Sequence, residues 1–527
     1  MNYKKLGKIL GKIMILEAIL MLAPLAVAIL YQEGVKNILA FAVPIFVLLL
    51  IGILLQIPKS DREELYQKEG FALTALVWVV MTLFGAIPFV INGDIPNYID
   101  AWFEIMSGFT TTGSSVITDL TAVSHATLFW RSFSHWIGGM GILVFVLIFI
   151  PESDDGSSMH LLRAESPGPQ VGKIVSKMKV TTRILYLIYL GMTALQIVIL
   201  YSGPLTDYNA MCEAFGETAA TAYHNDKLFY ALLSSFGCAG TGGFGFLPGS
   251  IEYFTPFAQY VMSIFLILFG VNFSLYYLFL VGKVGQILKS EEFKSYFLII
   301  VAAVAFVFLS LVGKFEAFPQ TYTTEEAFRH SLFQVASLMT TAGYTTTDYD
   351  VWPMLAKMTL VVVMFIGAMA GSTAGGIKVS RIVMALKGAY INVRKLINPR
   401  YVPKAKFEGK PLEETTINDV FAFITLYFFL FVAAIFLLSF DSVNGTVVQI
   451  ASDAGTYEVK HGFFSNFSAA LTCISNVGPA FEAVGPYASF AGYNAFSKII
   501  LTLTMMLGRL EILPVFILFS PKTWKKV

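Results

Sequence analysis

The stretch Phe103–Val116, FEIMSGFTTTGSSV, sets a helix-compatible segment directly before three threonines and a glycine. Three further stretches are built alike: LLSSFGCAGTGGFG (Leu232–Gly245), FQVASLMTTAGYTTTD (Phe333–Asp348) and ALTCISNVGPAF (Ala470–Phe481). Each lies between two long apolar runs. A membrane chain that repeats a short Gly-centred loop four times has the parts of one four-fold pore. Gly113, Gly242, Gly343 and Gly478 are expected at equivalent places about its axis. Such loops can present backbone carbonyls to a dehydrated cation.

The surroundings of these loops are those of a membrane protein. Of 527 residues, 56% are hydrophobic and only 13% charged, with a mean hydropathy of +0.69. Soluble domains are closer to half apolar and a quarter charged. Crossing the hydrocarbon takes roughly 20 apolar residues, and about ten runs meet that length. They centre on 12–30, 38–56, 73–91, 133–150, 184–201, 257–281, 296–313, 357–388, 420–440 and 499–519. The basic N-terminus leads into the first run without a small-residue cleavage site and reads as an uncleaved span.

Lys and Arg fix the orientation. One side collects Lys4–Lys12, Lys59–Lys68, Arg163–Arg183, Lys283–Lys294, Lys378–Lys410 and Lys522–Lys526. The other carries acids, among them Asp94, Asp100, Glu104, Asp119, Asp207, Glu252, Glu325, Glu326, Asp348 and Asp350. Both termini are therefore expected in the cytoplasm and all four Gly loops outside, where acidic surface concentrates cations. The last eight runs pair as span, outer re-entrant loop, span. The expected organisation is two extra N-terminal helices (1–56) and four units at 57–150, 151–281, 282–388 and 389–527. Non-helical backbone at membrane depth must be buried in protein or line water, so the four loops should converge on one axis.

The chemistry of the loops follows from what a cation loses on entry. Oxygens must replace its water, and main-chain carbonyls serve if the chain is extended and no side chain blocks the lumen. Glycine meets both needs. The candidate ion-binding residues are Thr110, Thr111, Thr112 and Gly113; Gly240, Thr241 and Gly242; Thr340, Thr341, Ala342 and Gly343; and Ser475, Asn476, Val477 and Gly478. The threonine hydroxyls can add oxygens or tie the loop to its surroundings, and the preceding helices aim their negative ends at the ion. Close helix packing through small residues would explain one such loop. It does not explain four in equivalent positions on one side.

Two other features bear on control. GAMAGSTAGGIKV (Gly367–Val379) places four glycines inside an apolar run, each costing roughly 1 kcal/mol in a helix. The run should unwind there, into a packing face or a movable flap formed by Gly371, Ser372, Thr373, Ala374, Gly375 and Gly376. A phosphate-binding loop is excluded, because Ile377 stands where Lys-Ser/Thr is required. Arg509, inside the last run, costs at least ~2.5–3.5 kcal/mol in lipid and should face water or a partner. Glu511 lies roughly 200° away around a helix, a poor placement for a direct pair. Facing a pore, Arg509 would oppose a cation; bonded to carbonyls, it would be structural. The tract Lys378, Arg381, Lys387, Arg394, Lys395 and Arg400 serves either positive-inside anchoring or docking of a cytosolic protein.

FEIMSGFTTTG, HWIGGMGI (His135–Ile142), GTGGFG, GVNFSLYY (Gly270–Tyr277), TTAGYTTTD, AGSTAGGIKV (Ala370–Val379), ISNVGPAF and GRLEI (Gly508–Ile512) together resemble the TrkH/KtrB/HKT superfamily of potassium transporters. The two extra N-terminal spans are similar to its TrkH-like branch. The resemblance covers nearly the whole chain and implies an all-α polytopic fold with a pseudo-four-fold pore. It further implies a homodimer in the bacterial inner membrane, controlled by a cytosolic TrkA/KtrA-like nucleotide-binding subunit. Gly113, where relatives favouring Na⁺ have Ser, implies K⁺ as the transported ion, through a channel or a symporter. The stretch Gly371–Gly376 matches the family's gating loop, and Arg509 an arginine beside it. One departure stands out: about twenty extra residues follow MCEAF (Met211–Phe215), so the second pore helix is placed at about Leu228–Cys238.

Other functions find no support. Three Cys and six His show no metal-ligand spacing, and no nucleophile sits beside a base. Cys212 and Cys238 could pair only if both faced outside. No basic stripe with interleaved aromatics suggests nucleic acid. The chain is expected to be neither an enzyme nor dependent on a cofactor.

Overall fold

The short helices Tyr98–Phe109, Lys227–Gly240, Thr324–Met339 and Phe463–Ser475 are sheathed by long ones and carry the four Gly loops at their C-termini. They begin and end at recognisable signals. Asn97 caps the first through the Ile99 N–H, and Thr323 and Glu326 form a capping box on the third. Each is followed by a second helix: His125–Gly139, Pro256–Phe269, Met354–Ile366 and Ala495–Arg509. Ser124, Thr255 and Asn494 cap three of these. A long apolar helix precedes each short one: Gln67–Gly85, Met178–Ser202, Glu291–Leu311 and Glu414–Leu438. The computed structural model describes residues 3–58, 67–141, 178–314, 322–399, 406–512 and 515–516.

This is a mostly helical membrane protein. Among the described residues, six helical stretches are long and apolar enough to cross a bilayer: Tyr3–Leu30, Val35–Leu54, Glu69–Asn92, Thr182–Ser202, Glu291–Leu311 and Glu414–Leu438. A seventh forms if Pro256–Phe269 and Phe273–Leu280, bent by 93°, count as one. The ten apolar runs are thus not ten continuous helices. Run 257–281 bends at Gly270–Asn272, and run 357–388 stops at Gly367 and resumes as helix Val379–Ile397. Runs 133–150 and 499–519 are helical to Gly139 and Arg509; residues 142–150, 513–514 and 517–527 lie outside the described residues. So do the link at 151–177, Arg400 and the basic clusters at 59–62 and 522–526.

Breaks fall where glycine lets two backbones touch. A methyl group on Gly138 would overlap the Phe109 carbonyl, and one on Gly508 the Ile474 carbonyl. Both carbonyls belong to the last turns of buried short helices, which therefore seat directly against the ends of the helices that follow. Cys238 lies buried in the second short helix and is not bonded to Cys212. Two antiparallel hairpins complete the described residues: Lys406–Phe407 with Lys410–Pro411, and Val447–Ser452 with Gly455–Lys460.

The two N-terminal helices cross through small residues. A Cβ on Gly52 would stand 2.7 Å from the Ile15 side chain and 2.8 Å from the Gly11 carbonyl. Gly52→Ala is expected to cost about 1–3 kcal/mol through overpacking, read as a lower unfolding midpoint in detergent. Gly191→Ala, with nothing within 4 Å, should leave the midpoint unchanged or raise it.

Candidate functional site

The four short helices end alike. Thr111, Thr241, Thr341 and Asn476 take left-handed conformations with φ of 57°, 54°, 58° and 56°. The next residue then donates back five positions: Thr112 to Ser107 (2.9 Å), Gly242 to Gly237 (2.9 Å), Ala342 to Ser337 (2.7 Å) and Val477 to Thr472 (3.0 Å). This is a Schellman closure, normally built on glycine. A β-branched threonine there is a real conformational outlier, of the kind held only where surroundings over-determine it.

The shared geometry sets the register of the loops and corrects one expectation. Two residues past the left-handed position stand Gly113, Gly243, Gly343 and Gly478. Gly243, not Gly242, is the equivalent of Gly113. A Cβ on Gly242 would strike the His135 ring instead, so Gly242 makes room for the helix of the first unit. Tandem glycines in GTGGFG hid this; the left-handed Thr241 decides it.

These glycines close a ring. A Cβ on Gly113 would lie 3.0 Å from the Gly243 N, and one on Gly243 would overlap the Ala342 carbonyl. On Gly343 it would overlap the Val477 carbonyl, and on Gly478 it would lie 2.7 Å from the Thr112 carbonyl. Loop one thus touches two, two touches three, three touches four and four touches one. Thr111, Thr112, Thr241, Ala342 and Val477 are fully buried. Yet among the described residues no hydrogen bond is donated to the carbonyls of Thr111, Thr112, Gly113, Thr241, Gly242, Gly243, Thr341, Ala342, Gly343, Asn476 or Val477. Buried carbonyls are nearly always paired. A closed ring of unpaired carbonyls has the chemistry to coordinate a cation that has shed water. Gly113, Gly243, Gly343 and Pro479 also line a cavity of about 290 Å³, together with Ser114, Thr345 and Ala451.

Side chains hold the ring from behind. The Thr110 hydroxyl donates to Met106 O (2.6 Å) and pairs with Thr112 (2.8 Å). Thr340 donates to Ala336 O (2.7 Å), Thr241 to Gly240 O (2.7 Å), and Ser475 pairs with Tyr427 (2.7 Å). The Asn476 amide joins loop four to Thr112 (3.0 Å) and to Met505 O (2.9 Å). Most of these hydroxyls are therefore ties. Thr111 Oγ1 is buried without a partner among the described residues.

Residues 367–378 leave the helix and pack against the ring. Gly375 N–H donates to Thr341 Oγ1 (2.7 Å), Met369 N–H to Gly270 O (3.1 Å), and Gly371 O accepts from Phe273 N–H (3.0 Å). Arg509 reaches this segment from the last helix. Its guanidinium donates to Thr373 O (2.7 Å), Gly139 O (2.9 Å) and Gly138 O. Three elements thus meet at one cation. Glu511 pairs not with Arg509 but with Arg381 (2.7 Å), which also lies 3.9 Å over the Phe423 ring.

Several residues with clear roles are not apparent in the sequence. Glu104 and Arg131 form a buried ion pair (2.7 Å) whose remaining groups bind Ser115, Val116 N–H and Gly245 O at the exits of loops one and two. His135 contacts Gly108 O (2.8 Å) and Phe244 N–H (3.3 Å). Glu292 accepts from Ala370 N–H (2.7 Å) and Ser380 N–H (3.2 Å), bracketing the 367–378 segment, and buried Lys378 donates to Ala374 O. The available signal for Glu104 was an acid within the helix-compatible segment before the first Gly loop, whereas Arg131 precedes the run 133–150 and carries no such mark.

The family model TrkH, cation transport protein, matches residues 37–526. The Trk system potassium uptake protein TrkH of Vibrio parahaemolyticus is 33% identical over 534 residues, covering 100% of both chains. Its Salmonella typhimurium namesake is 31% identical over 532 residues, again with 100% of both covered. The crystal structure of the potassium transporter TrkH from Vibrio parahaemolyticus superposes with a TM-score of 0.81 at 30% identity over 100% of both chains.

The loops around Glu252 and Asp350 supply a pH test. Burial pushes the Asp350 carboxyl up to about 8 and that of Glu252 up to about 7, from ordinary values of 3.8 and 4.5. Raised carboxyls bind protons better folded than unfolded. Their stabilising contribution is complete below about pH 4 and is lost as pH rises through about 7 to 8. Thermal stability in detergent should therefore decline over that window, and the Asp350→Asn, Glu252→Gln double variant should flatten the decline. An unchanged slope would show that these groups titrate normally.

Proposed function

This chain belongs to the TrkH family of cation transport proteins, and from that membership we propose that it is the membrane-embedded subunit through which K⁺ enters the cell. The observation that carries the proposal is the closed ring of buried, unpaired carbonyls at four equivalent loops. In this reading two N-terminal helices (1–56) flank four units, 57–150, 151–281, 282–388 and 389–527, that surround one pore with about ten crossings. Both termini are cytoplasmic and the membrane is the bacterial inner membrane.

An arriving K⁺ gives up water in the outer cavity beside Gly113, Gly243, Gly343 and Pro479. The unpaired carbonyls of Thr111, Thr112, Gly113, Thr241, Gly242, Gly243, Thr341, Ala342, Gly343, Asn476 and Val477 replace that water, while Gly240 O and Gly478 O stay bonded to the Thr241, Ser114 and Thr472 hydroxyls. The oxygens belong to the backbone, so their spacing is set by the ties behind them, and a smaller ion is coordinated less well. An inside-negative potential favours entry by ~2.3 kcal/mol per 100 mV. No bond is made or broken in the passenger, in keeping with a transporter rather than an enzyme.

Segment 371–376 and Arg509 form the gate of this reading. A guanidinium ~4 Å from a passing K⁺ at an effective dielectric near 20 opposes it by about 4 kcal/mol. Opening requires Arg509 to leave Thr373, Gly138 and Gly139, so its structural bonds and its blocking charge are one device. The basic face that follows, Arg381 to Lys395, suits a cytosolic nucleotide-binding regulator of the TrkA/KtrA type. The working form is a homodimer.

Ion flux into liposomes holding the purified protein tests the reading. Arg509→Ala should raise basal ⁸⁶Rb⁺ uptake by about tenfold or more, a modest fraction of the full repulsion. Gly113→Ser places a Cβ at φ +87° against Gly243 and should lower K⁺ over Na⁺ discrimination at least severalfold, roughly 1 kcal/mol. Absence of any flux with or without a regulator would overturn the proposal.

A further inference from the structure

Among the described residues, only the fourth unit carries a β-hairpin between its long apolar helix and its buried short helix. Strands Val447–Ser452 and Gly455–Lys460 pair in register from Val447↔Lys460 to Ser452↔Gly455, leaving Asp453 and Ala454 as a two-residue turn. Gln449, Glu458 and Lys460 are exposed, while Ile450 is buried.

The turn of this hairpin is docked on another unit. The Asp453 carboxylate accepts from the Thr347 hydroxyl and from Asp348 N–H (3.1 Å). The Tyr457 hydroxyl donates to the Asp348 carboxylate (2.6 Å). Thr347 and Asp348 belong to the exit strand of the third Gly loop, a few residues past Gly343. The rest of that strand is tied as well: Thr346 Oγ1 to His330 (2.8 Å), Thr345 N–H to Ser250 (3.3 Å) and Thr345 O to Ile251 N–H (3.1 Å). Every residue from Tyr344 to Asp348 is buried. Ala451 of the hairpin also lines the outer cavity beside Gly343.

The other exits are also held across unit boundaries, by other residues. Glu104 and Arg131 serve loops one and two; after loop four Ser468 binds Phe481 N–H (3.1 Å), the Tyr349 hydroxyl donates to Ala480 O (2.8 Å) and Asp350 accepts from Glu482 N–H (2.9 Å). The outermost brace of loop three is therefore supplied by the hairpin of unit four.

We infer that the hairpin Val447–Lys460 is a selectivity brace, in which Asp453 and Tyr457 position the exit strand of the third loop and thereby fix the Gly343 end of the carbonyl ring. The inference rests on the reading of that ring as the K⁺ filter. Carbonyl spacing and stiffness decide between K⁺ and a smaller ion. A carboxylate that receives donors from two successive residues of one segment limits both. Asp453 and Tyr457 are positioning residues, acting through Thr347 and Asp348.

The test uses the full-length protein in liposomes, with K⁺ and Na⁺ flux measured separately. Asp453→Ala and Tyr457→Phe should each lower K⁺ over Na⁺ discrimination by about threefold to tenfold, as expected when part of a charge-assisted hydrogen bond is lost. The change should appear mainly in the half-saturating K⁺ concentration, with maximal flux nearly kept. Asp453→Asn, which retains an acceptor for Asp348 N–H, should recover part of the loss. Glu458→Gln, on the exposed edge, should behave as the parent. Tyr457→Phe removes one oxygen and keeps the ring, so misfolding does not confound it. Parent-like selectivity in both Asp453→Ala and Tyr457→Phe, with Gly343→Ser altered, would overturn the brace and leave the filter. Parent-like selectivity in Gly343→Ser as well would overturn the filter reading itself.

Discussion

Backbone carbonyls buried in a membrane protein must find donors, and lipid offers none. The four loops at Gly113, Gly243, Gly343 and Gly478 break this rule together, with carbonyls from Thr111–Gly113, Thr241–Gly243, Thr341–Gly343 and Asn476–Val477 that accept nothing among the described residues. One such loop would be a fault costing several kcal/mol. Four of them, closed in a ring, form on the proposed reading a site in which a cation supplies what the donors would have. Much of the surrounding structure follows from this requirement. Short helices must end at the ring, and glycines must stand where loops touch.

Holding the ring is costly in conformation. Three threonines sit in a left-handed region that β-branched residues avoid. The compensation is local and polar. Schellman closures satisfy the helix ends, hydroxyls of Thr110, Thr340 and Thr241 turn back onto backbone, and the buried Glu104–Arg131 pair binds two exits at once. A buried ion pair is a poor source of stability in itself. This one has its remaining hydrogen-bonding groups occupied by the loop exits, so its value lies in fixing where those exits stand.

Much of this was legible in the sequence because glycine and threonine are rare companions at the end of an apolar helix. The four loops, the unwound 367–378 segment and Arg509 were all marked by residues that a simple span would not contain. The register of the second loop was not legible, since Gly242 and Gly243 are chemically identical and only the conformation of Thr241 separates them. Apolar runs concealed bends such as the one at Gly270–Asn272, because a break flanked by apolar residues leaves hydropathy unchanged. Long-range partners were invisible for a different reason. Nothing local in Glu511 points to Arg381, nor in Asp453 to Thr347.

Selection and control are joined physically. The Gly375 N–H is bonded to Thr341 Oγ1, and a Cβ on Gly375 would overlap the Ser475 carbonyl, so the 367–378 segment is seated on loops three and four. Arg509 fastens the same segment to the end of the first unit's helix. In the proposed mechanism, a gate that moves this segment removes a support from the proposed filter at the moment ions pass. Loop three then depends on what holds it from the other side, namely His330, Ser250 and the hairpin through Asp453 and Tyr457. The proposed brace acquires its role from this arithmetic of supports: a filter that keeps discriminating while its gate is open needs outer ties that do not move with the gate, and loop three is the one whose inner tie the gate itself supplies.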